Sequence, residues 1–318
     1  MQEQSKNFGL IGVAGYIAVR HLEAIRETGN KLLASLDPFD SVGILDSYFP
    51  ESDFFVEFER FDRHFEKLKR DGTKIDYVSI CSPNYLHDSH IRFALRHQAD
   101  AICEKPIVLN PWNIEALQEI EKETGRRVYT VLQLRLHPSI IELKRRVDAD
   151  LSGKIYDIDL SYITTRGNWY SFSWKGDLHK SGGIATNIGV HFFDMLTWVF
   201  GKEKSNIVHL SKADKAGGYL ELERARVRWF LSLDSNDLPG DVKAKGQRTY
   251  RSVAIEGEEI EFSTGFTDLH NQTYMDILSG GGFGLEDAKS SVEIVHKIRT
   301  STAEQGRGEI HPIVKKLI

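Results

Sequence analysis

The chain has 318 residues, more than one hydrophobic core usually supports, so two domains of ordinary size are expected. Hydrophobic residues make up 41% and charged residues 27%, a globular composition that excludes a disordered or fibrous chain. The net charge is -5 and the strongest basic cluster is Lys144-Arg145-Arg146, which excludes a nucleic-acid partner but not a small anionic ligand held by a few local cations.

The opening MQEQSKN is polar, and no apolar run follows that is long enough for a signal peptide or a membrane span. A cytoplasmic protein without a membrane partner is therefore expected. Short apolar runs predict strands over 8–11, 31–36, 76–81, 100–103 and 127–132. Amphipathic patterns between them predict helices over 16–28, 56–70, 87–97 and 111–124. Gly29, Gly72 and Gly125 stop three of these helices, and Asn110-Pro111 starts the last. Such alternation means parallel strands with crossover helices, and ligands bind such a sheet at the carboxyl ends of its strands. Gly12, Asp37, Ser82 and Glu104 belong to that edge.

After His137-Pro138 the rhythm changes. A helix over 139–148 leads to strands over 154–164, 206–211, 219–233, 249–255 and 258–262. A loop over 165–183 and a helix over 188–200 separate the first two strands, and helices over 266–278 and 285–300 close the chain. Consecutive strands predict an α+β domain with a large, mostly antiparallel sheet. The expected organisation is α/β: a Rossmann-type domain over 1–136 and a substrate-binding and oligomerisation domain over 137–318. Cys81 and Cys103 lie in apolar strand runs and read as reduced core thiols; with no nearby His pair they make no zinc site, and no metal is expected.

The first strand runs into Gly12-Val13-Ala14-Gly15-Tyr16-Ile17-Ala18. A dinucleotide loop needs a tight turn, a close backbone approach to pyrophosphate and a small residue where helix meets strand. Gly12, Gly15 and Ala18 fill those roles with G-x-x-G-x-x-A spacing, and the N–H groups of Gly15 and Tyr16 face the anion. Asp37 ends the second strand, where a carboxylate accepts hydrogen bonds from the adenosine ribose diol. It repels a 2′-phosphate, and no Arg or Lys follows in Pro38-Phe39-Asp40, so the cofactor is expected to be NAD rather than NADP.

Four further motifs follow in order: Ser82-Pro83-Asn84-Tyr85-Leu86-His87, Glu104-Lys105-Pro106, Gln133-Leu134-Arg135, and Gly182-Gly183 through Asn187, Gly189, His191 and Asp194. Together they resemble the Gfo/Idh/MocA family of sugar and inositol oxidoreductases over nearly the whole chain. The stretch from Arg166-Gly167-Asn168-Trp169-Tyr170 to Trp174-Lys175-Gly176-Asp177 is similar to one branch, the UDP-N-acetyl-2-amino-2-deoxyglucuronate dehydrogenases. That resemblance implies oxidation of the 3-hydroxyl of a UDP-sugar uronate, on the route to bacterial surface polysaccharide (O-antigen).

The resemblance also implies site residues. Gly12, Gly15, Tyr16, Ile17, Asp37, Ser82, Asn84, His87, Glu104, Lys105 and Gln133 would bind NAD, with Glu104-Lys105-Pro106 at the nicotinamide end. Lys105 would touch the reacting hydroxyl, and His191 would point at the same carbon, one helical turn after Asn187. Most relatives have Asp where Asn187 stands; a neutral amide does not stabilise an imidazolium, which moves the base from His191 to Lys105. The hydroxyl proton needs an acceptor within hydrogen-bond reach, and a partly desolvated Lys beside a cationic ring supplies neutral amine near neutral pH. Arg135, Arg166 and Lys175 are the candidates for the uronate and diphosphate, with Asn168, Trp169 and Tyr170 on sugar or base. His137 is assigned to core or loop packing, the same reading suits Tyr16 apart from the resemblance, and His21, Asp88 and His90 are assigned to the helix surface.

The resemblance leaves 2-oxoglutarate as a recycling oxidant and a homodimer or homotetramer as further expectations. The competing readings are a dehydrogenase of another sugar or inositol, a biliverdin-type reductase, and a non-catalytic NAD-binding sensor. Lys105 and His191 argue against the sensor, which needs no proton acceptor at the nicotinamide.

Overall fold

A computed structural model describes residues 5–260, 268–304 and 306–318. The chain divides into two compact units, one of residues 1–133 with 267–288, the other of residues 134–266 with 289–318.

The first unit contains β1 (Asn7–Ile11), α1 (Ala18–Glu27), β2 (Lys31–Leu36), α2 (Ile44–Tyr48), β3 (Asp53–Phe55), α3 (Phe58–Arg70), β4 (Tyr77–Ile80), α4 (His87–Arg96), β5 (Asp100–Cys103), α5 (Pro111–Thr124) and β6 (Val128–Thr130). Its strands form one parallel sheet in the order β3-β2-β1-β4-β5-β6. The strand order reverses outward from β1, which makes the doubly wound arrangement with its crevice at the β1/β4 switch point. Two elements, α2 and β3, fall where the sequence pattern assigned none: both are short, and β3 is an edge strand with little apolar alternation. Phe8, Leu10, Leu22, Ile25 and Ile102 centre the core between sheet and helices.

Helix Leu269–Leu278 belongs to this unit, although the sequence placed it with the second domain. Its Tyr274 and Ile277 are buried in the same core, and the Tyr274 ring stacks on Phe8 with centroids 5.9 Å apart. A helix docking that far from its sheet in sequence leaves no local signal, only its apolar stripe.

The second unit contains α6 (Pro138–Ala149), β7 (Tyr156–Thr164), α7 (Trp169–Phe172), α8 (Leu178–Ser181), α9 (Val190–Phe200), β8 (Glu203–Ser211), β9 (Lys215–Leu222), β10 (Ala225–Ser232), α10 (Gly240–Ala244), β11 (Thr249–Ile255) and β12 (Glu258–Glu259). In chain order α11 is the helix Leu269–Leu278 and α12 is Leu285–Thr300. The sheet order is β12-β11-β7-β10-β9-β8, antiparallel except for the parallel β7–β10 pair. One face carries the apolar side of α6 and α9, with Phe193 edge-on to the buried Trp229 at 5.4 Å. The other face is closed by Leu238, Val242 and Val314 over Ile163 and Phe230.

The single strand expected over 219–233 is a hairpin of β9 and β10 that turns at Glu223-Arg224. That turn lacks Gly or Asn, so it carries no turn signature. It is held from outside: Arg224 donates to the Lys154 carbonyl at 3.1 Å and to Asp150 at 3.1 Å. Residues 261 and 262 of the last expected strand, and 266 and 267 of the following helix, lie outside the described residues.

Candidate active site

The carboxyl ends of four strands stand level. Ile11 pairs with Leu36 and with Ile80, and Ile80 pairs with Cys103. Gly12, Asp37, Cys81 and Glu104 therefore leave the sheet on one edge. Gly12 has φ +91°, and a Cβ there would meet the Cys81 carbonyl carbon and the Ser82 nitrogen at 2.7 Å. Both the backbone conformation and the close approach demand glycine. The Gly15 N–H bonds back to the Gly12 carbonyl at 3.0 Å, so it closes the turn rather than facing an anion, correcting the sequence expectation. The N–H groups of Tyr16 and Ile17, just before α1, are left as the candidates for that role. Tyr16 is 96% exposed and so is not a packing residue. Asp37 is buried, with one oxygen accepting the Ala14 N–H at 3.0 Å and the other the Phe39 N–H at 3.0 Å.

Behind this edge lies a buried network that the motifs did not single out. His21 of α1 and His270 of α11 both place Nε2 on Glu104 Oε1, at 3.1 and 3.0 Å. A carboxylate only accepts, so both Nε2 atoms carry hydrogen. Neutral His21 then accepts at Nδ1 from the Tyr274 hydroxyl (2.7 Å), which in turn takes a hydrogen bond from Ser79 (2.6 Å). Burial pushes the Glu104 carboxyl up, but the donors from His21 and His270 outweigh it and hold it well below the ordinary carboxylate range. Burial pulls His21 down against the bond to Glu104, so the pair is an anion beside a neutral imidazole. The three ligand atoms of His21, Glu104 and His270 lie within 4.8 Å of one another. The assignment of His21 to the surface was wrong: it is fully buried, because it falls in the stripe Ala18, His21, Leu22, Ile25 that faces the core.

Lys105 follows, half-buried, its N–H donating to Glu104 Oε2 at 3.3 Å and its peptide bond to Pro106 cis. The Pro106 carbonyl is held from the other side by His87 Nδ1 at 2.7 Å, while His87 Nε2 reaches the Ser82 carbonyl at 2.8 Å. Burial lowers the His87 pKa against the pull of these two carbonyls, both of which favour a hydrogen on the ring. Ser82 Oγ meets His90 Nδ1 at 2.9 Å, which places His90 in the buried turn and not on the helix surface; Asp88, half-buried, pairs with Arg92 at 2.9 Å. Asn84 is buried in the same turn, and Gln133 opens a short helical turn just beyond β6. Cys81 and Cys103 are buried, and burial pushes both thiols well up.

In the second unit, residues 185–189 form a π-turn that carries Asn187 into α9, a local widening often found at functional sites. Asn187 Nδ2 donates to the Tyr170 hydroxyl at 2.5 Å, and burial raises the Tyr170 pKa. His191 lies half-buried in the first turn of α9. Arg135 donates from Nε and Nη2 to both oxygens of Asp194, at 3.0 and 2.7 Å, with both side chains buried. Arg135, one of the three cations expected at the uronate, thus gives two of its donors to a buried carboxylate. Arg166 is exposed and donates to Thr164 Oγ1 at 2.8 Å. Lys175 lies over the Trp174 ring at 4.2 Å and stands 5.9 Å from the Trp169 ring. Asn168 precedes α7, and Trp169 meets Tyr170 edge-on at 5.8 Å. His137 caps α6 through the Ser139 N–H at 3.3 Å, a packing role.

A doubly wound sheet with this glycine turn and terminal Asp, joined to a mostly antiparallel sheet domain, defines a two-domain dinucleotide-dependent dehydrogenase. Residues 6–132 match the oxidoreductase family's NAD-binding Rossmann fold and residues 144–249 its C-terminal alpha/beta domain. The chain belongs to the Gfo/Idh/MocA family of NAD-binding oxidoreductases. It is similar to the WlbA (WbpB) dehydrogenase from Thermus thermophilus, solved with NAD and α-ketoglutarate: 52% identity over 96% of this chain and 99% of that one, TM-score 0.94. The same dehydrogenase solved with NAD and UDP-GlcNAcA gives 51% identity over 96% and 99%, TM-score 0.93. WlbA from Bordetella pertussis, at 18% identity over 94% of this chain and 95% of that one, TM-score 0.76, shares the fold. Among curated relatives, inositol 2-dehydrogenase of Rhizobium meliloti is 26% identical over 66% of this chain; the match spans 60% of that relative's length. Among the described residues, no helix is long and apolar enough to cross a membrane.

Proposed function

We propose that this chain oxidises the 3-hydroxyl of UDP-N-acetylglucosaminuronic acid to the 3-keto sugar with NAD, in nucleotide-sugar synthesis for bacterial surface polysaccharide. The observation that carries this reading is near full-length similarity, at 51% identity, to a dehydrogenase solved with NAD and UDP-GlcNAcA. The residues present fit the dinucleotide: Gly12 lets the turn pack tightly against the Cys81-Ser82 backbone, Tyr16 and Ile17 would present N–H groups to the pyrophosphate, and Asp37 would present its carboxylate to the ribose. NAD, when bound, supplies the hydride acceptor.

The chain's own residues do the rest. Lys105 accepts the hydroxyl proton at Nζ, with Glu104 and Pro106 fixing its backbone. Asn187 and His191 orient the sugar, Tyr170 holding the Asn187 amide. Arg166, Lys175, Asn168 and Trp169 meet the charged and planar parts of the substrate. A 2-oxo acid such as 2-oxoglutarate would serve as the oxidant that regenerates the cofactor, in keeping with the α-ketoglutarate complex of the Thermus thermophilus dehydrogenase.

The test is absorbance at 340 nm on mixing protein, NAD and UDP-N-acetylglucosaminuronate, with and without 2-oxoglutarate. A rise, even of a single turnover, supports the reading. No rise, with activity on inositol or a simple glucoside instead, replaces it.

A further inference from the structure

The strongest unassigned feature of the first unit is the buried chain Ser79–Tyr274–His21–Glu104–His270. It joins four elements: β4 gives Ser79, α1 gives His21, the end of β5 gives Glu104, and α11 gives His270 and Tyr274. With Glu104 ionised and His21 neutral, each bond takes one direction and the chain ends on one oxygen, Glu104 Oε1. The other oxygen, Oε2, receives the N–H of Lys105 itself at 3.3 Å. A carboxylate this deeply buried survives as an anion only if its oxygens are supplied with donors. The imidazoles supply them, and what they hold in place is the residue that leads the chain into Lys105.

We propose that His21 and His270 are positioning residues for Lys105: through Glu104 they fix the backbone from which the lysine reaches the reacting hydroxyl. This rests on the reading of Lys105 as the proton acceptor. The arrangement explains why α11, a segment from late in the chain, returns to the dinucleotide-binding sheet. It carries one donor of the clamp directly (His270) and sets the other through Tyr274, whose hydroxyl fixes the His21 tautomer. The other side of the same segment is held by His87 on the Pro106 carbonyl, so the turn bearing Lys105 is braced by imidazoles on both flanks. The same three ligand atoms are close enough for a metal ion. The hydrogen-bond reading accounts for each of these contacts without one.

The experiment uses the full-length protein. His270→Ala and His21→Ala should each lower kcat about 10- to 100-fold. KM and NAD affinity should stay within about threefold, because neither residue is on the binding edge. His270→Gln, which keeps an N–H donor, should recover most of the loss. Tyr274→Phe should cost about 3- to 10-fold with little change in volume. The alkaline or acid limb of the kcat profile should move in the alanine variants, which a loss of packing alone would not produce. Should either alanine variant fail to fold, Tyr274→Phe and His270→Gln still carry the test. Wild-type kcat and pH profile in His270→Ala overturns the proposal. So does His270→Gln as impaired as His270→Ala, or stoichiometric metal in purified protein with activity lost on chelation. A substrate-independent readout separates this from the functional reading: the Nε2 protons of His21 and His270 should give slowly exchanging, low-field NMR signals in the wild-type protein. If those signals are present while UDP-N-acetylglucosaminuronate is not oxidised, the substrate assignment fails and the kcat test passes to whichever sugar is oxidised. If they are absent, the clamp itself is refuted.

Discussion

Asp37 accepts the backbone N–H of Ala14 at 3.0 Å, so the acid that ends β2 also braces the glycine turn that follows β1. Its removal has two effects. Loss of the brace should weaken any dinucleotide, while loss of the proposed ribose contact should weaken NAD and relieve repulsion of a 2′-phosphate. Asp37→Ala should therefore weaken NAD by about 10- to 100-fold, roughly 1.4–2.8 kcal/mol, and NADP far less. Equilibrium titration with both cofactors checks this. Equal weakening would show that the ribose diol binds elsewhere.

The Arg135–Asp194 pair is buried and bidentate, which fixes what its loss does. Removing one partner of a buried pair costs about 3–5 kcal/mol. Asp194→Ala should lower the melting temperature by roughly 10 °C on that scale. Asp194→Asn keeps a hydrogen-bond acceptor and should lose less. A melting temperature unchanged in Asp194→Ala would mean that the Arg135–Asp194 pair does not hold this unit together.

The parallel alternation, the glycine turn, Asp37 and the Glu104-Lys105-Pro106 corner are legible in the sequence because they follow from local pattern: strand period, turn chemistry and strand ends. What escapes the sequence is tertiary. His21 and His270 each fall on a buried helix face, His21 with Ala18, Leu22 and Ile25 and His270 with Leu269, Thr273 and Tyr274, a signal that the reading of His21 as a surface residue missed. Their meeting at Glu104 leaves no such signal, since the spacing between them carries no periodicity. Arg135 looks like a ligand fork because its partner Asp194 lies far along the chain, and only packing brings them together. The Glu223-Arg224 turn is hidden for the same reason, its stabilising contacts being distant.

Two buried histidines set an acid limit on stability. Burial pulls His90 down to about 4, and the neighbouring His87 adds to the effect; burial likewise pulls His311 down to about 4, where Ser161 and the Ile313 N–H occupy its nitrogens. The unfolded chain binds a proton at each near the ordinary histidine value of about 6.5. Between about pH 6.5 and 4 the unfolded state therefore carries more protons, and stability is lost as pH falls through that window. From about pH 7 to pH 5 each histidine should contribute a loss on the order of 2 kcal/mol. Urea unfolding at the two pH values measures it. His90→Asn should shrink the difference by its share; a difference unchanged in that variant would mean that His90 is protonated in the folded chain.

The two candidate bases, Lys105 and His191, differ in where the chain places them. His191 follows Asn187 by four residues, and the Asn187 amide donates to the Tyr170 hydroxyl at 2.5 Å. Asp194, the nearby carboxylate of the same helix, gives both oxygens to Arg135. Lys105 follows the carboxyl end of β5, its backbone anchored through Glu104 and Pro106. Lys105→Ala should therefore lower kcat by about 10²–10⁴-fold, the span typical of a lost general base, with NAD affinity within about threefold. His191→Ala should raise KM and lower kcat by about tenfold, as a lost orienting contact does. Stopped-flow traces of a single turnover separate chemistry from release in both variants. If His191→Ala loses the larger factor and Lys105→Ala retains the chemical step, the proton goes to the imidazole, and the Asn187 amide supports it by orientation alone.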